Sequence, residues 1–297
     1  MNLIKPKNLK IGDNIGIIAP AGGVENNENI LRAKFFFENR GYKVTLGKNI
    51  LKNNRYLAGT DEEKLEDLHN FFADDRINAI ICLRGGYGAI RLINKIDYEL
   101  IKNNPKIFAG YSDITALSAM FLKKSNLITY SAPMIQGDFG IKDISEFTIN
   151  SFFKTVTTED KQEFKAKTIY NSGSATGIMF GGNLATIVSL CGMDFIPNEP
   201  FIFFAEDLNE PVYKIDKMFT QLLNIDEFRR NISGLILGDF LDVDNKEWLE
   251  DLFKELAQEL KIPTLGGFKI SHAKDKLTIP YGIKSAICEN IFKFWLI

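Results

Sequence analysis

Lys106-Ile107-Phe108-Ala109-Gly110-Tyr111-Ser112-Asp113-Ile114-Thr115-Ala116-Leu117 is an apolar run that breaks on a glycine and passes at once into a helical pattern. That is the signature of a strand feeding a helix, the unit from which parallel α/β sheets are built. A side chain on such a corner projects from the carboxyl end of the strand. It has the first helix amides and the positive end of the helix dipole beside it, a setting that favours developing negative charge. Ser112 stands on the corner. The spelling is not Gly-x-Ser-x-Gly, because Ile114 occupies the place of the second glycine, so the likeness to a nucleophile elbow is one of context. Ser112 or Asp113 is equally suited to cap a helix beginning near Ile114.

Outward from that corner, the first half of the chain repeats the alternation. Asn14-Ile15-Gly16-Ile17-Ile18-Ala19-Pro20 reads as a strand and residues 28–39 as a helix. Strands follow at 42–46, 79–83 and 106–109, with a helix at 61–73 and part of another at 91–96. Continuous apolar strands separated by helices predict a parallel sheet covered on both faces, with ligands at the carboxyl ends of its strands. The chain turns polar from 141 to 168, and 155–167 holds almost no apolar periodicity. This places an interdomain connection at 146–168, between an N-terminal α/β domain over 1–145 and a C-terminal α/β domain over 169–297. The second half offers an apolar glycine-rich segment at 177–182, helices at 183–190, 214–223 and 246–260, and strands at 200–205 and 232–237. Two domains suit a chain of 297 residues, at roughly 150 residues per domain.

Composition narrows the partners. A net charge of −2 gives no long-range field to gather nucleic acid or an anionic membrane. The N-terminus, Met1-Asn2-Leu3-Ile4-Lys5-Pro6-Lys7, lacks an apolar signal core, and no run approaches the roughly 20 apolar residues of a spanning helix. The expected compartment is the cytoplasm. Cys82, Cys191 and Cys288 are odd in number, widely spaced and set among apolar neighbours, as reduced core thiols are. There is no Cys pair and no carboxylate cluster of metal-ligand spacing, so no metal is expected.

Only two histidines are available as a general base. His69 lies in a charged amphipathic helix, whereas His272 follows a short apolar strand, Gly266-Gly267-Phe268-Lys269-Ile270, and precedes a polar loop, where functional side chains collect. A satisfied structural histidine is the competing reading of His272. Glu206 follows five apolar residues, Phe201-Ile202-Phe203-Phe204-Ala205, so its carboxylate is partly desolvated and calls for a donor such as an imidazole. A turn acid is its alternative, and Asp207 and Glu210 compete for the role from further along, where water would screen them. The turn Leu83-Arg84-Gly85-Gly86-Tyr87-Gly88 permits a backbone path that brings amides close to a ligand. Neither it nor Phe180-Gly181-Gly182-Asn183-Leu184 carries the ending of a phosphate loop, so nucleotide binding has little support.

Taken together, Arg84-Gly85-Gly86-Tyr87-Gly88, Gly110-Tyr111-Ser112-Asp113, Gly181-Gly182-Asn183-Leu184, Glu206-Asp207 followed by Tyr213-Lys214-Ile215-Asp216, and Ser271-His272-Ala273 through Pro280-Tyr281-Gly282 resemble the LD-carboxypeptidase and microcin-immunity family of serine peptidases. The resemblance spans nearly the whole chain in order. It implies an N-terminal flavodoxin-like domain carrying a serine nucleophile and a C-terminal α/β domain of the swivelling β/α type carrying a glutamate and a histidine. Carried over to this sequence, Ser112 is the nucleophile, His272 the base and Glu206 its orienting partner. The amides of Gly86 and Asp113 form the oxyanion hole; apart from the resemblance, Arg84 is near enough in the chain to pair with a substrate carboxylate. The implied reaction removes the terminal D-alanine of cytoplasmic murein tetrapeptides during peptidoglycan recycling, with no cofactor, in a protein that forms homodimers. Two alternatives are hydrolysis of a peptidyl-nucleotide antibiotic of the microcin C type, which calls for an aromatic loop that stacks a base, and a non-catalytic, amidotransferase-like binding domain. Against the last, the corner holds Ser112 where an amidotransferase needs cysteine.

Overall fold

The computed structural model describes residues 2–296, so Met1 of the N-terminal run lies outside the described residues. In its first sheet the parallel strands stand in the order β2 (Lys43–Leu46), β1 (Asn14–Ile18), β3 (Ala79–Cys82), β4 (Ile107–Ala109), β5 (Thr129–Ser131). This is the doubly wound order of flavodoxin-like sheets, with its switch point between β1 and β3. Helices α1 (Glu28–Glu38), α2 (Asp61–Ala73), α3 (Tyr98–Asn103) and α4 (Thr115–Ser125) connect these strands. Thr60 and Glu63 close a reciprocal capping box on α2. The expected helix at 91–96 is a single 3-10 turn, Ile93–Lys95, because Asp97 caps a new helix at α3 by accepting from the Leu100 amide.

The sequence after β5 is more ordered than its polarity suggests. The segment read as a connection contains α5 (Glu146–Thr157), capped by Ser145, and β6 (Gln162–Lys165). Buried Phe152 and Val156 pin α5 against the first sheet. After β7 (Thr168–Asn171) come β8 (Ser174–Asn183), α6 (Leu184–Val188), β9 (Phe201–Leu208), α7 (Val212–Leu223), α8 (Asp226–Asn231), β10 (Ile232–Leu241), α9 (Lys246–Leu260) and β11 (Thr264–Gly266). The chain closes with β12 (Ile279–Tyr281), β13 (Lys284–Cys288) and β14 (Ile291–Phe294).

The second sheet runs β6-β14-β13-β8-β9-β10-β11-β7, parallel from β8 to β11 and antiparallel at both flanks. β12 leaves this lobe and pairs antiparallel with β5, completing the first sheet. The carboxyl ends of the two parallel sheets meet. At the end of β8 the Asn183 amide donates to Thr115 Oγ1 of α4 at 3.3 Å, and a Cβ on Gly182 would lie 2.7 Å from the Thr115 methyl. The helix that follows Ser112 therefore starts against the strand end of the second lobe.

Candidate active site

Ser112 opens a 3-10 turn, Ser112–Ile114, between β4 and α4, and adopts φ +62°. A left-handed conformation in a residue with a Cβ costs roughly 1–2 kcal/mol, and such strain concentrates at functional corners. Neither Ser112 nor Asp113 caps α4: its N-cap is Ile114, with no side-chain hydrogen bond. Asp113 turns the other way, and its Oδ2 accepts from the Ala89 amide at 2.8 Å. Burial lifts its carboxyl to about 6, against the pull of that amide and of Lys64.

Ala89 belongs to the glycine turn after β3. Gly85 lies against the serine: a Cβ there would fall 2.8 Å from Ser112 Cβ, 2.9 Å from Oγ and 3.2 Å from the Asp113 amide nitrogen. Gly86 (φ +99°) and Gly88 (φ +132°) take conformations open to glycine. Lys64, buried beneath the turn, donates to the Gly88 carbonyl at 3.3 Å and pairs with Asp61 at 3.2 Å. Arg84 is exposed, reaches the Gly23 carbonyl at 3.4 Å, and with Gly86 lines a cleft of about 550 Å³. Arg55, Tyr56 and Tyr87 line the same cleft.

The second lobe supplies the other two predicted residues. Glu206 lies within β9, which runs on to Leu208, and its buried carboxylate accepts from His272 Nδ1 at 2.7 Å. His272 sits in the irregular stretch after β11. That stretch crosses β10 at Gly238, where a Cβ would meet the Ile270 carbonyl at 2.3 Å and where the Asp239 amide donates to that carbonyl at 2.9 Å. The loop then docks on the first lobe. Ser145 Oγ donates to Asp275 at 2.5 Å, Thr148 Oγ1 accepts from the Lys276 amide at 2.9 Å, and Ser151 Oγ accepts from the Thr278 amide at 2.9 Å.

The competing acids have other work. Asp207 is buried rather than screened by water: it accepts from Asn183 Nδ2 at 2.9 Å and the Ala185 amide at 2.8 Å, tying β9 to the start of α6. Glu210 pairs with Lys214 one turn on, at 3.3 Å. His69 Nε2 accepts from the Asp97 amide at 3.1 Å, a structural role at the start of α3.

Tyr111, the residue before the serine, packs edge-on against the His272 ring, centroids 4.9 Å apart. No hydrogen bond joins Ser112 Oγ to His272 among the described residues. Sequence reasoning missed Tyr111, Asp138 and Lys276. Tyr111 looked like part of the corner, and Lys274-Asp275-Lys276 looks like a solvated charge run, yet Lys276 is buried.

The chain thus brings together a serine on a left-handed corner, a glycine turn pressed against it and a carboxylate-bound imidazole beside the residue that precedes the serine. Residues 15–132 match the LD-carboxypeptidase N-terminal domain and residues 176–287 the LD-carboxypeptidase C-terminal domain. The chain belongs to the LD-carboxypeptidase family. It is a serine-type carboxypeptidase with the family's two-domain α/β architecture. A probable murein peptide carboxypeptidase of Bacillus subtilis is 35% identical over 95% of this chain and 91% of its own length. The microcin self-immunity protein MccF of Escherichia coli is 29% identical over 94% of this chain and 91% of its own. The crystal structure of a muramoyltetrapeptide carboxypeptidase from Oxalobacter formigenes superposes with a TM-score of 0.86 at 28% identity, covering 95% of this chain and 98% of that one. In this LD-carboxypeptidase, no described helix is long and apolar enough to cross a membrane. Among the described residues no group of three or more His, Cys, Asp or Glu side chains is placed to hold a metal ion.

Proposed function

We propose that this chain hydrolyses the L-to-D peptide bond of cytoplasmic murein tetrapeptides, releasing the terminal D-alanine by a Ser112–His272–Glu206 triad. The observation that carries the reading is the 2.7 Å hydrogen bond from His272 Nδ1 to buried Glu206. It fixes the tautomer in which Nε2 is free to accept a proton, on an imidazole that touches the residue before Ser112. In this mechanism Ser112 Oγ attacks the scissile carbonyl as His272 Nε2 takes its proton. The amides of Asp113 and Gly86 donate to the oxyanion. The protonated imidazole, stabilised by Glu206, then passes the proton to the departing amine of D-alanine. Water, deprotonated by the same nitrogen, hydrolyses the acyl-serine ester and restores the enzyme. Arg84, exposed at the rim of the cleft, is the cation that holds the free terminal carboxylate.

The test is incubation of purified protein with murein tetrapeptide, its all-L counterpart and the C-terminally amidated tetrapeptide, with release of alanine followed by mass spectrometry. Alanine should come from the first alone. Ser112→Ala and His272→Ala should each lower kcat by roughly 10⁴-fold or more, and Glu206→Ala by less, since triad members act as a unit. Equal cleavage of the free and amidated peptides, or an active Ser112→Ala, overturns the reading.

One observation favours a second reading. Tyr56 and Tyr87 are exposed in the cleft with ring centroids 5.7 Å apart, a surface on which a nucleobase can stack. Faster hydrolysis of an aminoacyl sulfamoyl adenosine than of the tetrapeptide would move the assignment to the peptidyl-nucleotide class.

A further inference from the structure

We infer that Tyr111, gripped by the buried Asp138–Lys276 pair, is the positioning residue that aims the His272 imidazole at the serine elbow. The inference rests on the triad reading above. Tyr111 joins β4 to Ser112, so its backbone moves with the nucleophile. Its ring meets that of His272 at 71°, an edge-to-face contact. Glu206 fixes the imidazole at one nitrogen only, which leaves the ring free to pivot about that hydrogen bond. The Tyr111 ring closes off that pivot.

Tyr111 is held in turn. The Lys276 ammonium lies 4.9 Å from its ring centroid, within cation–π range, and forms an ion pair with Asp138. Both members of the pair are almost fully buried, and Asp138 Oδ2 also accepts from the Met134 amide at 2.8 Å. Burial, reinforced by the Asp138 and Glu206 carboxylates, pushes the Tyr111 phenol well above its ordinary range, so the ring stays neutral beside the imidazole.

The pair also spans the lobes. Asp138 sits on a π turn, Ile135–Phe139, of the serine-bearing lobe, and Lys276 comes four residues after His272. A buried ion pair is poor evidence of a stability gain, because desolvation offsets most of the attraction; its attested value is in specifying geometry. Here it ties the histidine loop to the lobe that holds the serine, with the Tyr111 ring between them.

The chain's two histidines make the test direct. Protein labelled with ¹⁵N-histidine gives one resonance set from His272 and one from His69, which serves as the internal reference. Tyr111→Leu should lower kcat by about tenfold or more with KM within about twofold of wild type, as expected for loss of alignment rather than of binding. It should also move the His272 ring resonances and leave those of His69 in place. Tyr111→Phe keeps the ring and should remain within about threefold of wild-type kcat. The double variant Asp138→Asn/Lys276→Met removes both charges without leaving either alone, and should shift kcat and the His272 resonances in the same direction as Tyr111→Leu. Wild-type kcat in Tyr111→Leu overturns the inference, and so does reduced kcat with unmoved His272 resonances. Should Tyr111→Leu not fold, an unmoved His272 in the double variant is the overturning result. An active Ser112→Ala would defeat the triad alone, because the movement of the His272 resonances is read without turnover.

Discussion

Asp113 carries a charge where burial disfavours it. Its carboxyl rises from 3.8 to about 6 mainly through burial, with the Ala89 amide and Lys64 lowering it in part. The folded protein therefore binds this proton more tightly than the unfolded chain does. Stability from this group is complete below about pH 4, falls as pH rises towards 6, and is flat above that. At roughly 1.4 kcal/mol per pK unit the loss is at most about 3 kcal/mol. Asp113→Asn keeps an oxygen to accept from Ala89 but cannot ionise. Its denaturant midpoint should therefore fall less than that of wild type between pH 4.5 and 7, with every other titrating group common to both proteins. Identical pH profiles would show that the Asp113 carboxyl does not titrate in this window. The three residues assigned to the triad stand out in the sequence for separate reasons: Ser112 lies on a strand-to-helix corner, Glu206 follows five apolar residues, and His272 is one of two histidines. Lys276 and Asp207 were not, since their burial comes from segments distant in sequence: α5 for one, the β8–α6 junction for the other.

The glycine turn and the elbow make an element-scale pair whose fit depends on one missing Cβ. Gly85 has a φ outside the left-handed region, so a new Cβ is opposed not by the backbone angle but by Ser112 and the Asp113 amide, at 2.8 and 3.2 Å. Gly85→Ala should push the turn off the elbow by a few tenths of an ångström. We expect kcat to fall by about 10²-fold with the melting temperature little changed. Gly181→Ala differs: φ is +142° and the new Cβ would sit 1.9 Å from the Phe204 carbonyl, inside the β8–β9 pairing, so folding itself should fail. Wild-type turnover in Gly85→Ala would remove the turn from the site. The same scale shows which elements the sequence disclosed. Buried parallel strands such as β3 and β4 are continuous apolar runs, and α9 matches its expected bounds, 246–260, because its amphipathic period is complete and Asn245 caps it. β6, β7 and β12 are short, partly polar or proline-bearing and pair with strands far along the chain, which local pattern does not record; β13 and β14 form a local hairpin, but each is also held by a distant strand, β8 or β6.

At the scale of the whole molecule, the two lobes share an interior. A single buried cluster runs from Phe108, Leu117 and Phe121 of the first lobe to Phe180, Ile202 and Phe204 of the second. β12 crosses back to complete the first sheet, Lys123 of α4 pairs with Asp194 at 2.8 Å and donates to the Ile196 carbonyl at 2.7 Å, and Lys5 reaches the Leu296 carbonyl. The sequence predicted two α/β units, and two sheets are present; one face of the first sheet is buried within its own lobe under α1 and α5, but its other face packs into the cluster shared with the second. Separate unfolding would expose that shared cluster and strip β5 of an antiparallel neighbour, a large loss of apolar burial for either half. We therefore expect one cooperative transition in denaturant. Both tryptophans, Trp248 on α9 and Trp295 beyond β14, report on the second lobe, whereas far-UV circular dichroism reports on both. Coincident curves from the two probes are the expected result for all-or-none unfolding. A fluorescence transition displaced from the dichroism transition would show that the lobes are independent folding units, and would mean that the serine-bearing sheet survives without the strand and the histidine loop it receives from the other half.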